Sequence, residues 1–143
     1  MNRTLLCLAF AWMLAAAGLG PATAAENAAR LGVELNKLEA QSSGCRAYLL
    51  LENGAGHGFS ALKLDLVMFD VEGIVAKRLA VEAAPLPRDK ISLKVFDIAG
   101  LACDRIGRLL LNDVLACEGD GVAAPDCLSL LAVRSRGDVP FVK

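Results

Sequence analysis

His57 and Ser60 stand three residues apart in the stretch NGAGHGFS, and Asp65, Asp70 and Glu72 follow closely in LDLVMFDVEGIVAKR. A serine near a histidine is the raw material of nucleophilic hydrolysis, and clustered carboxylates are that of a metal site or an acid/base pair. Each combination lacks its frame. A serine hydrolase presents the nucleophile on a strained G-x-S-x-G turn, with an orienting acid and an oxyanion hole, and nothing of the kind surrounds Ser60. A calcium loop spaces oxygen ligands at alternating positions through a longer loop and ends it with Glu, which Asp65, Asp70 and Glu72 do not. Gly54, Gly56 and Gly58 lack the G-K-[ST] ending of a phosphate loop and read as a surface loop. Met68 is the sole methionine after position 24 and reads as core, so a copper site has no ligand set. The chain is therefore read as non-enzymatic, with no catalytic residue, no cofactor and no metal.

The sulfurs are more telling. Residues 1–24 carry one positive charge, Arg3, then an apolar run, then Gly20, Pro21 and small residues, the pattern of a secretory signal peptide. Ala22 and Ala24 fit the positions where signal peptidase needs small side chains. The expected cut lies before Ala25, with the bond before Glu26 as second choice. The apolar run of about 15 residues is short for a membrane span of about 20, so no stable membrane insertion is expected after cleavage. Residues 25–143 then form a single domain, and cleavage removes only Arg3 of the 15 basic residues against 16 acidic ones. So weak and interspersed a charge excludes the dense basic patches that bind nucleic acid or anionic membranes. Four cysteines remain, Cys45, Cys103, Cys117 and Cys127. An even count in an exported chain implies two disulfides, for which the count alone allows three pairings.

What positions these residues is a succession of short strands. Apolar residues recur mostly with period two, and turn residues cut the chain into pieces over 33–39, 45–53, 62–70, 74–82, 91–97, about 108–117 and 127–135, with a short helix or turn near 101–106. About seven antiparallel strands of this length suit an all-β, two-layer sandwich. In the strand over 62–70, Leu62, Leu64, Leu66 and Met68 point one way, and Lys63, Asp65, Val67 and Phe69 the other. Asp65 is then an outward charge facing solvent or a neighbouring lysine. Asp70 to Gly73 becomes a turn in which Asp bonds the backbone two residues on and Gly supplies positive φ. Strands that alternate up and down bring Cys45 and Cys103 to one end of the sandwich and Cys117 and Cys127 to the other, where they bracket a turn-rich loop.

The runs YLLLENGAG, FSALKLDLVMFDVEGIVAKRLAV and APLPRDKISLKVFD resemble the strand succession of FxLYD-type and other fibronectin-III-like domains of exported bacterial proteins. In these an Asn ends one strand, a D-x-x-G turn joins the next two, and a short polar segment precedes a further apolar strand. The chain is also similar to uncharacterised alphaproteobacterial exported proteins known by their signal sequence. The resemblance covers about 48–97. It implies an immunoglobulin-like sandwich used for binding or scaffolding and transfers no catalytic residue.

Tyr48, Leu50, Val67, Phe69 and Phe96 are expected on the side opposite the regular core positions, a face that an antiparallel sheet normally leaves to water. They call for a cover, either the segment 28–38 or the connection after 97 within the chain, or another cell-envelope protein. The expected function is an exported, periplasmic binding or accessory module. The alternative is a small inhibitor of an exported protease or hydrolase that inserts the loop 118–126.

Overall fold

The computed structural model describes residues 31–119 and 127–143. The expected leader and most of the loop 118–126 lie outside the described residues. Eight strands run in order among them: β1 (Leu31–Gln41), β2 (Gly44–Asn53), β3 (Phe59–Asp70), β4 (Val75–Glu82), β5 (Ile91–Ala99), β6 (Ile106–Gly119), β7 (Leu131–Ser135) and β8 (Phe141–Val142). They form two four-stranded sheets of order β5-β2-β1-β7 and β4-β3-β6-β8. The all-β sandwich is thus as expected.

Period-two patterning builds the core. On β3, Leu62, Leu64, Leu66 and Met68 are fully buried, and on β2 Cys45, Ala47, Leu49 and Leu51 face them. Each of the buried leucines and Met68 contributes about 1.5–3 kcal/mol of burial, so one face of each strand dictates which way its sheet turns. Leu31, Val33 and Leu35 of β1, Ile106, Leu109 and Leu111 of β6, and Phe141 of β8 complete the interior.

The reading of DVEG as a turn holds in detail. The Asp70 carboxylate accepts from the backbone N–H groups of Glu72 (3.0 Å) and Ile74 (2.8 Å), and Gly73 sits at φ 83°. That positive φ strains any residue with a Cβ.

Three expectations need correction. The sheets are not purely antiparallel, because β7 joins the far edge of β1 in parallel and β8 joins β6 in parallel. The chain leaves β6, crosses to the other sheet and returns, so its last two strands close the sandwich on both layers. The strand expected over 127–135 starts as a single helical turn, Cys127–Leu130, and becomes strand only where Leu131 meets Leu31. The third correction is the chain's first segment: the described part of 28–38 covers no face but lies within a sheet as β1, paired on both sides. The turn expected near 101–106 is a short 3₁₀ turn, Cys103–Arg105.

Candidate functional site

The residues that suggested chemistry sit in structural surroundings, with the His57 Nε2 buried and without a hydrogen-bond partner among the described residues. Ser60 Oγ donates to the Glu118 carbonyl at 3.3 Å. The His57 ring packs against Phe59 with centroids 4.8 Å apart. The loop that carries His57 is fastened by Asn53. Asn53 is buried, and its amide donates to the carbonyls of His57 (2.9 Å), Leu86 (3.3 Å) and Pro87 (3.1 Å) while its oxygen accepts from Ala55 N–H. A buried amide with all these bonds made is a rigid joint between two loops. The sequence signal for it was the Asn that ends a strand just before a glycine-rich loop.

Asp65 corrects a further expectation. Its side chain points outward from β3 but does not face solvent or a lysine. The carboxylate is buried beneath Arg78 of β4, which bonds it with two nitrogens at 2.7 and 2.8 Å, and it accepts a third bond from Asn112 at 2.6 Å. The register of β6 against β3 shifts between Asp65 and Leu66, and this irregularity brings Asn112 within reach. The hydrogen bonds from Arg78 hold the Asp65 carboxyl below its ordinary pKa, against the upward push of burial, and Asn112 adds to the lowering. This is an ionised structural anchor rather than a proton-transfer group.

The five residues of the expected second face do not share one surface. Tyr48 and Leu50 lie on the outer face of the first sheet. Val67 and Phe69 lie on the outer face of the second, where Val67 is buried and Phe69 is capped by the Arg108 guanidinium, 4.4 Å from the ring centre. Phe96 points inward, a correction of phase. Antiparallel register sets Ala47 opposite Phe96 and Cys45 opposite Ile98, and residues directly opposite share a face. Since Cys45, Ala47 and Ile98 are buried, Phe96 packs against the core. Ile91, Leu93 and Val95 are turned out instead.

The result is a defined patch. Leu93 and Val95 of β5 stand beside Leu50 and Tyr48 of β2, with Ile91 beside Glu52. Ile91, Leu93 and Val95 are 62%, 55% and 47% exposed, values that belong to open surface rather than to a covered sheet. Ion pairs frame this centre. Arg134 bonds Glu34 at 2.7 Å and reaches Glu52 at 3.5 Å, Arg46 bonds Asp97 with two nitrogens, and Lys37 pairs with Glu39, which also accepts from the Tyr48 hydroxyl at 3.3 Å. Hydrogen bonds from Asn36 and Arg134 lower the Glu34 pKa, and the bond from Arg46 lowers that of Asp97. An apolar centre with a polar, satisfied rim is the anatomy of a protein-binding surface.

The four cysteines are joined as Cys45–Cys103 and Cys117–Cys127. Fold and cross-links together define the class: a two-sheet, all-β sandwich fastened by two disulfides. Among the described residues no helix is long and apolar enough to cross a membrane. Comparison with protein-family models, with curated proteins and with solved structures gives no match for this chain.

Proposed function

We propose that this protein is an exported, periplasmic and non-enzymatic binding or accessory module of the cell envelope, of the fibronectin-III-like kind, and that another envelope protein docks on the outer face of its first sheet. The observation that carries the reading is the ion-pair-framed apolar patch of Tyr48, Leu50, Leu93 and Val95. The disulfides support it, because such cross-links form and persist in oxidising compartments such as the periplasm.

Two outcomes are expected. Protein isolated from the periplasm has the intact mass of a chain beginning at Ala25 with both disulfides formed; a mass that retains residues 1–24 refutes the exported module. In crosslinking and capture from envelope extracts, Tyr48→Ala and Leu50→Ser each lower recovery of the partner by at least about tenfold, the scale of a central interface residue. Ile74→Ser, at an exposed apolar position of the β3–β4 turn away from this face, leaves recovery unchanged. Equal recovery by all three variants removes the face as the docking site.

A further inference from the structure

Sheet edges decide what a sandwich can pair with, because an edge strand presents unpaired N–H and C=O groups, and natural proteins guard such edges by shortness, charge, proline or bulges. The two sheets end in β5, β7, β4 and β8. β7 and β8 are five and two residues long. β4 carries Lys77, Arg78 and Glu82, and its register against β3 is broken between Met68 and Phe69. β5 differs from all three. Its nine residues pair with β2 without a register shift. It contains no proline, and its outer side chains are the exposed Ile91, Leu93 and Val95. Its inward lysine, Lys94, does not project from the edge, because its ammonium is tied to the Ala84 carbonyl at 3.1 Å.

We infer that β5 is a self-pairing edge: two copies of this chain join β5 to β5 in antiparallel fashion, with the twofold axis at Leu93, and fuse their first sheets into one continuous sheet. A twofold pairing of this kind is self-complementary by symmetry. The number of apolar pairs selects the register. An axis at Ser92 leaves two apolar pairs on the outer face, Ile91 against Leu93 made twice, and an axis at Lys94 leaves two, Leu93 against Val95 made twice. An axis at Val95 or Phe96 sets Asp97 against Leu93 or Val95. The axis at Leu93 gives the longest apolar ladder on the outer face, three pairs, Ile91 against Val95 twice and Leu93 against Leu93, with Ser92 against Lys94 on the inner face. Asp97 then lies beyond the ladder, neutralised by Arg46 at 2.7 Å. Asp89, in line with Asp97 of the second copy, belongs to a turn with φ 54° outside the strand. Cross-strand apolar pairs are the unit of sheet stabilisation. In this register they extend the patch of each copy into the patch of the other, leaving Tyr48 and Leu50 open. The inference rests on edge geometry and stands apart from the proposed envelope partner.

Sedimentation equilibrium of the purified, disulfide-intact protein tests it. The wild type is expected to be dimeric. Leu93→Lys places two ammonium groups face to face at the axis, and like charges brought together across an interface weaken association by about a hundredfold or more. Leu93→Glu does the same. Because Leu93 is exposed, both variants keep the fold, and mixing them restores dimers through a Lys–Glu pair at the axis. Ile74→Lys leaves the dimer intact. A monomeric wild type at the highest soluble concentration overturns the inference, as does a Leu93→Lys dimer or a mixture of the two Leu93 variants that stays monomeric.

Discussion

Replacing Cys45 and Cys103 together by alanine is expected to lower the free energy of unfolding by about 4 kcal/mol, and replacing Cys117 and Cys127 by about 3 kcal/mol, measured by denaturant titration at room temperature. The order follows from loop length. The first bridge joins residues 58 apart in sequence and the second residues 10 apart, and a longer closed loop removes more freedom from the unfolded chain. Both bridges also couple the two layers. Cys45 lies at the start of β2, next to Gly44, in the first sheet, and Cys103 lies in the turn that delivers the chain to β6 in the second. Cys117 is near the end of β6, and Cys127 opens the helical turn that leads back to β7 in the first sheet. Cys45 is in addition fully buried, so its replacement thins the core. Domains of this size are stable by about 5–15 kcal/mol in total. Losing both bridges therefore removes a large share of that stability, and a fold so dependent on oxidation fits the proposed periplasmic setting. Equal losses for the two pairs, or a larger loss for Cys117 and Cys127, would show that loop closure is not what the bridges contribute.

The pairing was legible in the sequence because it depends only on which end of each strand a cysteine occupies. Strands that alternate in direction fix those ends even when their lateral order is unknown. The lateral order was not legible. That β7 lies beside β1 and β8 beside β6 is decided by contacts such as Leu31 opposite Leu131 and Leu109 opposite Phe141, for which period-two patterning carries no signal. The core phase and the end of β3 were readable, since Leu62, Leu64, Leu66 and Met68 form one apolar phase and the DVEG turn ends it, although the strand begins three residues earlier than expected, at Phe59. β5 was misread for the same reason that β3 was easy. ISLKVFDIA has apolar residues on both phases, and the more regular set, Ile91, Leu93 and Val95, looks like core. Tertiary register overrides that appearance, because buried Cys45 and Ala47 bring Ile98 and Phe96 inward with them. The inversion leaves the apolar patch and the open edge on the outside, and a sequence read by hydrophobicity alone hides them in the interior.

Asp65 illustrates what remains illegible. A lone Asp among leucines says nothing of partners 13 and 47 residues away, yet those partners make it the most consequential charge of β3. Asp65→Asn is expected to lower stability by about 2–3 kcal/mol at neutral pH, the range for hydrogen bonds to an ionised group. The amide is nearly isosteric, so packing is kept. What changes is that one of its two ends now offers N–H groups to Arg78 and Asn112, which are themselves donors. The effect carries a signature in pH. The folded-state pKa of Asp65 is depressed, chiefly by the Arg78 hydrogen bonds. Its contribution is therefore complete above the unfolded carboxyl value of about 4 and is lost as pH falls through the lower folded value, because the native state then binds the proton as well. Denaturant titrations of wild type and Asp65→Asn should differ by a constant amount from neutral pH down to about 5 and converge at lower pH. A difference that persists unchanged into strong acid would mean that the variant acts through packing and that the buried carboxylate is not ionised in the native sandwich.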